Sequence, residues 1–373
     1  MSVVTISPAR LAAALALRDL SDPAAGPHAM QLVITSLVDA LRTAWGCQVL
    51  VHRADPVVSV HDNYERLRYP ADAVTRDARY TRYVSTTTVL RTHTTAMIPP
   101  LLDRLATNGQ PADVLLAPVG LVYRRDTIDR LHGGEPHQVD LWRIRRGHLD
   151  AADLQHMIAL VAGALAPGAP YRTNPATHPY TLQGREIEVR VQDRWVEIGE
   201  CGLAHAEVLR AAGLDPASWS GLAMGLGLDR AVMLRKGFED IRLLRATDPR
   251  IADQMLDLTP YRPVSARPPV RRDLSLAAAP GTDAEVLGDR VREALGPRAA
   301  MIEDLTILAE TPMEALPPQA MARIGIRPGQ VNLLVRLVLR HPTRTLTDQD
   351  ANRLRDDVYA LLHEGTLHQW CAR

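Results

Sequence analysis

Three glycines and an arginine stand close together in the stretch Ser220–Arg235, at Gly221, Gly225, Gly227 and Arg230. Glycine at this spacing lets a flat ligand lie against bare backbone, and an arginine one helical turn further on can meet a phosphate or stack on a base. The pattern predicts a nucleotide site. A strand-to-helix junction whose glycines serve close packing has the same spacing, so the glycines alone leave both interpretations open.

The segment after those glycines, Leu228–Lys236, mixes apolar residues with arginines and is followed by Gly237, which predicts a helix that ends there. Lys236 is the only lysine of the chain. A Walker-type phosphate loop and a Schiff-base enzyme each depend on a lysine and are excluded by this composition. Phosphate recognition is therefore expected from arginine side chains.

The composition is typical of a chain with two domains. Its 373 residues, 46% of them hydrophobic, can bury sizeable cores, and 43 basic residues balance 43 acidic ones, so contact with nucleic acid needs a local patch. Cys47, Cys201 and Cys371 lack zinc spacing, which indicates reduced thiols in a cytoplasmic protein. No segment approaches the roughly 20 apolar residues of a membrane span, and Met1–Arg10 does not have a signal-peptide layout.

Two segments alternate apolar and polar residues and predict antiparallel strands joined by a loop, Val119–Arg125 and His137–Arg145. Gln138 and Asp140 then share one face of the sheet, and Arg124 lies across from them at the mouth of the loop. An acid, an amide and a base on one face could form the polar floor of a site. The solvated side of an ordinary antiparallel sheet has the same pattern.

The other patterns predict helices packed on a mostly antiparallel sheet, which is an α+β layout. The predicted helices are Pro8–Leu20, His28–Trp45, Ala96–Leu105 and Ala151–Ala166, and the predicted strands are Cys47–His52, two strands within Thr181–Gly199 on either side of a turn at Asp193 and Arg194, and the glycine-rich segment. A doubly wound nucleotide fold does not fit, because its strands would alternate regularly with helices.

A second domain is predicted after Pro263, with a split βαβ pattern. Its predicted strands are Val270–Ala277, Met301–Leu308, Val331–Leu339 and His368–Cys371, with helices Asp283–Leu295 and Asp348–His363 between them. The arginines Arg267, Arg271, Arg272, Arg340 and Arg344 predict a basic patch suited to phosphates.

Several segments resemble, in order and spacing, the motifs of class II aminoacyl-tRNA synthetases, and most of all the catalytic chain of phenylalanyl-tRNA synthetase. They are Leu90–Thr94 (LRTHT), Val122–Asp126 (VYRRD) with His132, His137–Asp140 (HQVD), Gly199–Leu209 (GECGLAHAEVL) and Gly221–Arg230. Tyr261–Ser265, Pro269–Leu276 (PVRRDLSL) and Arg344–Asp348 resemble the ferredoxin-fold anticodon-binding domain of that family. The resemblance implies a catalytic domain over residues 1–262 and an anticodon-binding domain over 263–373, in the single-chain arrangement of the organellar enzyme.

The resemblance implies binding of ATP with Mg²⁺. Arg124 would hold the α-phosphate, Arg230 would hold the far phosphates or pack on the adenine, and Glu197 would be a carboxylate on the magnesium side. Asp126 and His132 in the loop would help to place the bent nucleotide against Gly225 and Gly227.

The resemblance also implies an amino-acid site. His93, Thr95, Gln138 and Asp140 would fix the carboxylate and ammonium groups, Ala223 would line the pocket, and Arg79 falls near a pocket position that the family often fills with an aromatic or neutral residue. Asp140 replaces the family's usual Glu, and His178-Pro179-Tyr180-Thr181 aligns with the family's Phe-Pro-Phe-Thr.

The substitutions at His178 and Tyr180 predict a more polar substrate than phenylalanine. Their hydrogen-bonding groups would be left unpaired by a phenylalanine ring, which is costly in a buried pocket. An ordinary phenylalanine enzyme that has drifted is the alternative, since Tyr180 is still aromatic and histidine can stack.

The expected activity is therefore ATP-dependent amino-acid activation and ligation to tRNA, by a monomer or a homodimer. An adenylating biosynthetic paralogue with a non-tRNA acceptor and a non-catalytic tRNA-binding paralogue are the alternatives. Retention of both Arg124 and Arg230 argues against a dead site, and the C-terminal domain favours tRNA as the acceptor.

Overall fold

The computed structural model describes residues 4–107, 111–191, 193–264 and 268–368. Contacts group these residues into two compact units. The first contains the described parts of Met1–Arg124, Glu135–Phe238 and Gln254–Tyr261, and the second contains those of Arg125–Gly134, Glu239–Asp253 and Arg262–Arg373. The second unit thus includes two segments from within residues 1–262, and the single boundary after residue 262 stays a prediction.

The first unit has six α-helices and nine strands among the residues that the structure describes. The helices are α1 (Pro8–Leu15), α2 (Ala29–Trp45), α3 (Ile98–Thr107), α4 (Ala151–Leu165), α5 (Ala206–Ala211) and α6 (Leu228–Lys236). The strands are β1 (Gln48–His52), β2 (Val57–Ser59), β3 (Thr88–Leu90), β4 (Asp113–Leu121), β5 (His137–Arg146), β6 (Tyr171–Pro175), β7 (Thr181–Val191), β8 (Arg194–Ala204) and β9 (Trp219–Gly227).

Seven of these described strands form one sheet in the order β1-β4-β5-β9-β8-β7-β6. Within this part of the chain β1 and β4 are parallel, and each other neighbouring pair is antiparallel. Residues 114–121 of β4 are all buried, as expected for a strand covered on both faces. Helix α4 packs against β7 and β8, and α2 packs against α4 and α6. The expected α+β fold with a mostly antiparallel sheet is confirmed.

The strand predicted at Val119–Arg125 has the wrong limits, because β4 begins at Asp113 and ends at Leu121. Beyond β4 the backbone N–H of Tyr123 donates to the carbonyl of Arg91 at 2.9 Å and no longer follows the ladder with β5. Arg124 therefore lies on an irregular segment after the strand, and not on the strand itself.

Two helix boundaries also differ from the predictions. Helix α1 ends at Leu15, since Leu20 donates its backbone N–H to His137 Nε2 at 3.0 Å and the chain has left the helix by then. Helix α3 begins at Ile98, after a 3₁₀ turn over Thr94–Met97. Strand β6 and helix α5 were not predicted from the sequence.

The only lysine of the chain has a structural environment. The Lys236 side chain is fully buried, and its ammonium donates to the carbonyls of Asp257 and Thr259 at 2.8 and 2.7 Å. The carboxylate of Asp257 lies 3.3 Å away. The backbone carbonyl of Lys236 also accepts from Tyr261 at 2.7 Å, so this residue fastens Gln254–Tyr261 to the end of α6.

We expect Lys236→Met to lower the free energy of unfolding by about 2 kcal/mol, because two carbonyls lose their buried donor. The melting temperature should fall by roughly 4–8 °C for a domain of this size. The matched control is Arg42→Met, which removes a cation from an exposed position on α2, where the expected change is within about 0.5 kcal/mol. An unchanged melting temperature in Lys236→Met would contradict the structural role of the ammonium.

The second unit has an antiparallel sheet of three strands among its described residues, in the order β10-β12-β11. The strands are β10 (Val270–Ala278), β11 (Ile302–Pro312) and β12 (Val331–Leu339), and the helices are α7 (Pro249–Ala252), α8 (Ala284–Leu295), α9 (Pro318–Ile324) and α10 (Asp348–Leu362). The split βαβ order is present, with β12 between β10 and β11. The fourth strand predicted at His368–Cys371 lies outside the described residues, apart from His368, which is not in a strand.

The loop after Arg124 belongs to the hydrophobic core of the second unit. Ile128 packs in the cluster formed by β10, β12, α8 and α10, and its carbonyl accepts from the Leu305 N–H at 2.9 Å. Arg125 pairs with the buried Asp289 at 3.1 Å, and Arg292 donates to the carbonyls of Asp126 and Thr127. No helix among the described residues is long and apolar enough to cross a membrane.

Candidate active site

The floor of the candidate site is formed where β5 and β9 run side by side. Gln138 lies opposite Gly227, and Asp140 lies opposite Gly225. Directly paired residues share a face of the sheet, so β9 places no side chain beside Gln138 or Asp140. A Cβ atom on Gly225 would lie 3.9 Å from the Asp140 carboxylate, and one on Gly227 would meet nothing within 4 Å. The expected common face of Gln138 and Asp140 is present.

Asp140 is a buried carboxylate held by three donors. Its Oδ2 accepts from Thr94 Oγ1 at 2.6 Å, and its Oδ1 accepts from Thr95 Oγ1 at 2.9 Å and Trp142 Nε1 at 3.1 Å. Burial raises the pKa of Asp140 to about 6, and the three hydrogen bonds oppose this shift. Ala223, buried opposite Trp142 on β9, lies on the same face. Above pH 6 the floor therefore carries a negative charge that suits an ammonium group.

His93 places two unsatisfied nitrogens beside this floor. Burial first, and then the positive charge of Arg124, lower the pKa of His93 to about 3. The imidazole is therefore neutral, with one donor and one acceptor nitrogen. The ring keeps some exposed surface, but both nitrogens are buried and lack a hydrogen-bond partner among the described residues. Each costs about 1–3 kcal/mol while unsatisfied, so the ring is suited to bind a polar ligand.

Aromatic rings form a wall next to His93. Tyr69 stacks on His93 with a centroid distance of 5.7 Å and lies 6.2 Å from Tyr180, which in turn stacks on Trp142 at 6.1 Å. His178 lies 5.6 Å from Tyr180. Burial raises the pKa of both tyrosines, so their hydroxyls are protonated and can donate near neutral pH. The two residues expected to alter the pocket, His178 and Tyr180, thus lie side by side in this wall.

Tyr69 was not among the predicted site residues. It follows Arg68, whose backbone is left-handed with φ of 67°, and its N–H donates to the Tyr64 carbonyl at 3.0 Å. This tight turn directs Tyr69 toward His93. The surrounding segment has no helical or strand period, so the sequence held no signal that could have found it.

Glu200 is a second residue that sequence reasoning missed. It lies opposite Gly225 on the strand next to β9, and its Oε2 is 2.6 Å from His178 Nε2. The alternating pattern of β8 could have placed a carboxylate on this face, but the pairing with His178 depends on the register between β7 and β8. The polar substitution at His178 is therefore matched by an acidic partner.

Arg124 differs from Arg230, the other arginine expected at the site, because its side chain has no partner among the described residues. Its Nε is buried without a hydrogen-bond partner, and its guanidinium has no ion pair within the described residues. Its charge lowers the pKa of His93 and also acts on Tyr69, so it lies near both rings. Arg82 fixes the backbone here, since it donates to the Arg124 carbonyl at 3.4 Å and pairs with Glu135 at 2.5 Å. A free guanidinium on a fixed backbone is suited to an anionic ligand.

Arg230 and Glu197, expected to act on phosphates and on magnesium, contact each other. Arg230 Nη1 lies 2.9 Å from Glu197 Oε2 and 3.3 Å from its carbonyl. Arg230 stands in the first turn of α6, where its neighbour Asp229 is buried and accepts from the His137 N–H at 2.5 Å and lies 3.1 Å from His137 Nδ1. Asp229 thereby fixes the start of α6 to the start of β5.

Three of the expected site residues have other surroundings. Asp126 and His132 belong to the second unit, where His132 Nδ1 lies 2.7 Å from Asp129. Arg79 has 57% of its side chain exposed and donates to Asp77 at 3.0 and 3.1 Å, so it is not buried with the aromatic wall. Their expected roles in binding stay predictions.

No group of three or more His, Cys, Asp and Glu residues able to hold a metal ion is found in the part of the chain that the structure describes. Glu197 is engaged by Arg230 and is a single carboxylate. Mg²⁺ keeps several waters and is held by one or two carboxylates. The donor set therefore fits a magnesium ion that arrives on ATP phosphates better than it fits a resident metal.

The basic patch of the second unit is largely paired. Arg272 donates to Asn352 and Asp348 at 2.9 Å each, Arg344 lies 3.1 Å from Asp350, and Arg340 lies 2.7 Å from Glu303. Arg271 is exposed, and Arg267 lies outside the described residues. A phosphate would have to compete with carboxylates for most of these cations.

The site combines three features. A buried carboxylate lies on an antiparallel sheet, a glycine-rich strand leads into a helix that carries an arginine, and the unpaired Arg124 lies beside a neutral histidine. The sequence family described as "tRNA synthetases class II core domain (F)" matches residues 18–255, and the chain belongs to this family. It is a ligase, as the resemblance implied. The matched residues end before β10, so this comparison does not cover the C-terminal sheet.

The relatives specify the family further. The chain is 35% identical over 241 residues to the phenylalanine–tRNA ligase alpha subunit of Prochlorococcus marinus (strain MIT 9313), an alignment that covers 63% of this chain and 69% of the relative. The alpha subunit of Lactiplantibacillus plantarum is 34% identical over 245 residues, with 62% and 69% covered. That of Nostoc punctiforme is 34% identical over 192 residues, with 52% and 56% covered. The chain belongs to the phenylalanine–tRNA ligase alpha subunit family.

Proposed function

We propose that this chain condenses an amino acid with ATP to form an aminoacyl-adenylate and then transfers the aminoacyl group to a tRNA. The observation that carries this proposal is the unpaired Arg124 next to His93 and the anchored Asp140. A cation and a neutral histidine without partners suit the anionic groups of the two substrates. The buried carboxylate suits the ammonium group of an amino acid.

In the first step an oxygen of the amino-acid carboxylate attacks the α-phosphorus of ATP. The new oxygen–phosphorus bond forms as the bond to the bridging oxygen breaks, and pyrophosphate leaves with that electron pair. Arg124 would donate to the α-phosphate oxygens, and Arg230 to the far phosphates or the adenine. When bound to the phosphates, Mg²⁺ would neutralise further charge beside Glu197. Catalysis then consists of positioning and electrostatic stabilisation and needs no protein nucleophile.

The amino acid would lie on the floor formed by β5 and β9. Asp140 would accept from its ammonium group, with Gln138 and Thr95 beside it, and His93 would bind its carboxylate. Its side chain would extend along the aromatic wall toward Tyr180 and His178, over Ala223. His178 and Glu200 make the far end of this wall polar, which supports a substrate more polar than phenylalanine.

We assign the second unit to tRNA binding through a ferredoxin-like anticodon-binding domain. The β10-α8-β11-α9-β12-α10 order supports this assignment, together with the exposed Arg271. ATP and Mg²⁺ would be the cosubstrates, with Arg272 and Arg344 as further contacts to the RNA. The ion pairs of these two arginines favour a second candidate, an adenylating enzyme that uses another acceptor.

The test is amino-acid-dependent exchange of pyrophosphate into ATP across the standard amino acids and polar phenylalanine analogues. We expect exchange with a polar amino acid at an efficiency above that for phenylalanine. Exchange with phenylalanine at ordinary efficiency would contradict the altered pocket, and no exchange with any amino acid would contradict the enzymatic proposal. Transfer of the activated amino acid to total tRNA would support tRNA as the acceptor, and exchange without such transfer would support the second candidate.

A further inference from the structure

The two carboxylates of the site lie in one row across three strands. Gly225 is paired with Asp140 on one side and with Glu200 on the other. Paired residues share a sheet face and neighbouring strands are about 4.8 Å apart, so the backbones of the two acids are separated by about 10 Å. The position between them carries only a hydrogen atom. A ligand on this face can therefore lie between two negative charges.

The row continues with a third acid on the next strand. Glu186 of β7 lies directly opposite Glu200, and its Oε1 accepts from Asn174 at 3.4 Å. Like charges directly opposite each other destabilise a sheet. The His178 Nε2 lies 2.6 Å from the Glu200 Oε2. Three carboxylates in one row favour a ligand that brings positive charge.

The two acids next to Gly225 are bonded differently. Asp140 is buried and accepts three hydrogen bonds from fixed donors. Glu200 has 42% of its side chain exposed, and only Oε2 contacts His178. Its Oε1 has no partner in the parts of the chain that the structure covers. Asp140 is thus a fixed anchor, whereas Glu200 offers a free acceptor at the far end of the pocket.

The same two charges reach the aromatic wall. After burial, the carboxylates of Asp140 and Glu200 both raise the pKa of Tyr69 and of Tyr180. The two hydroxyls therefore lie within the field of both acids. Since Tyr180 stacks on Trp142 and lies 5.6 Å from His178, the pocket combines aromatic walls with an acidic end.

We propose that Glu200, oriented by His178, is the specificity-determining residue of the pocket, and that the amino acid it selects carries a cationic hydrogen-bond donor at the end of its side chain. This inference rests on the proposed adenylation function. A bare phenyl ring would remove water from Glu200 without replacing its bonds, and an anionic side chain would be repelled by the row of acids. A site built to bind a donor rejects analogues without one by large factors.

The experiment uses four phenylalanine analogues that differ only at the para position: hydrogen, hydroxyl, aminomethyl and carboxyl. Pyrophosphate exchange and calorimetric binding of each analogue without ATP are measured on the full chain. We expect the aminomethyl analogue to bind at least about 100-fold more tightly than the carboxyl analogue, because the first pairs its cation with Glu200 and the second is repelled by it. We expect Glu200→Gln to reduce that ratio by about 10–100-fold without weakening phenylalanine.

The matched control is Glu207→Gln, which removes an exposed carboxylate on α5 and should leave the ratio unchanged. Glu200→Arg should reverse the order of the two charged analogues. Exchange with some amino acid but no cationic preference, or a preference that survives in Glu200→Gln, overturns this inference and leaves adenylation standing. If no amino acid supports pyrophosphate exchange, adenylation is contradicted. The ratio of the calorimetric affinities of the aminomethyl and carboxyl analogues then tests the role of Glu200 by itself. If no analogue binds, the proposed role of Glu200 is overturned.

Discussion

Arg124→Ala is expected to lower kcat/KM for pyrophosphate exchange by about 10³-fold, the size found when one charge-stabilising donor is removed from a reaction centre. The guanidinium has no ion pair and its buried Nε has no partner among the described residues, so its removal breaks no structural bond. We therefore expect the melting temperature to stay within about 1 °C of the unsubstituted protein, because no named destabilising mechanism applies.

The controls for this prediction separate charge from geometry. Arg190→Ala removes an exposed arginine of the same unit, 3.9 Å from Asp193, and should keep the full rate. Arg124→Lys keeps the charge but loses the planar fork and should recover only part of the rate. If Arg124→Ala exchanged pyrophosphate normally, the assignment of the α-phosphate to this arginine would be wrong. If it instead unfolded at a lower temperature, the residue would be structural.

Asp140→Asn is expected to lower kcat/KM for the amino acid by about 10²–10³-fold, since a buried charged partner of the ammonium is lost. Because burial raises the pKa of Asp140 to about 6, the activity of the unsubstituted chain should fall as the pH drops below 6, where the carboxylate takes up a proton. The residual activity of Asp140→Asn should lack this acid limb between pH 5 and pH 7.

The same shift predicts a stability effect of defined sign. The pKa of Asp140 is higher in the folded chain than in the unfolded chain, so the folded state binds the proton more tightly and the ionised carboxylate destabilises it. This loss of stability grows as the pH rises from about 4 to about 6. The melting temperature of Asp140→Asn relative to the unsubstituted chain should therefore increase over this range. Asp39→Asn, an exposed substitution on α2, should show no such trend, and a trend of opposite sign would contradict the raised pKa.

Some periodic parts of the chain could be read from the sequence. The predicted limits of α6 and of the strand Val331–Leu339 agree with the structure, because each segment has a clear apolar period and α6 ends at Gly237 in a left-handed conformation. The common face of Gln138 and Asp140 followed from the two-residue repeat of a strand. Segments without a period, such as the one that carries Tyr69, could not be placed.

The pairing of side chains was decided by the tertiary structure. The sequence offered Arg230 and Glu197 as separate ligands, and the structure pairs them at 2.9 Å. It likewise offered Arg272 and Arg344 as members of a basic patch suited to phosphates, and both have carboxylate partners. Composition shows how many charges a chain has, but the folded backbone decides which of them are near enough to neutralise each other.

By itself the sequence determined the α+β class, the order of the synthetase motifs and the chemistry available without a phosphate-binding lysine. These properties depend on local period, spacing and residue type. The register of β5, β9 and β8, which aligns Asp140, Gly225 and Glu200, was decided only by the fold. A shift of one residue between strands would turn each side chain to the other face, and the residues that fix such a register are distant in the chain.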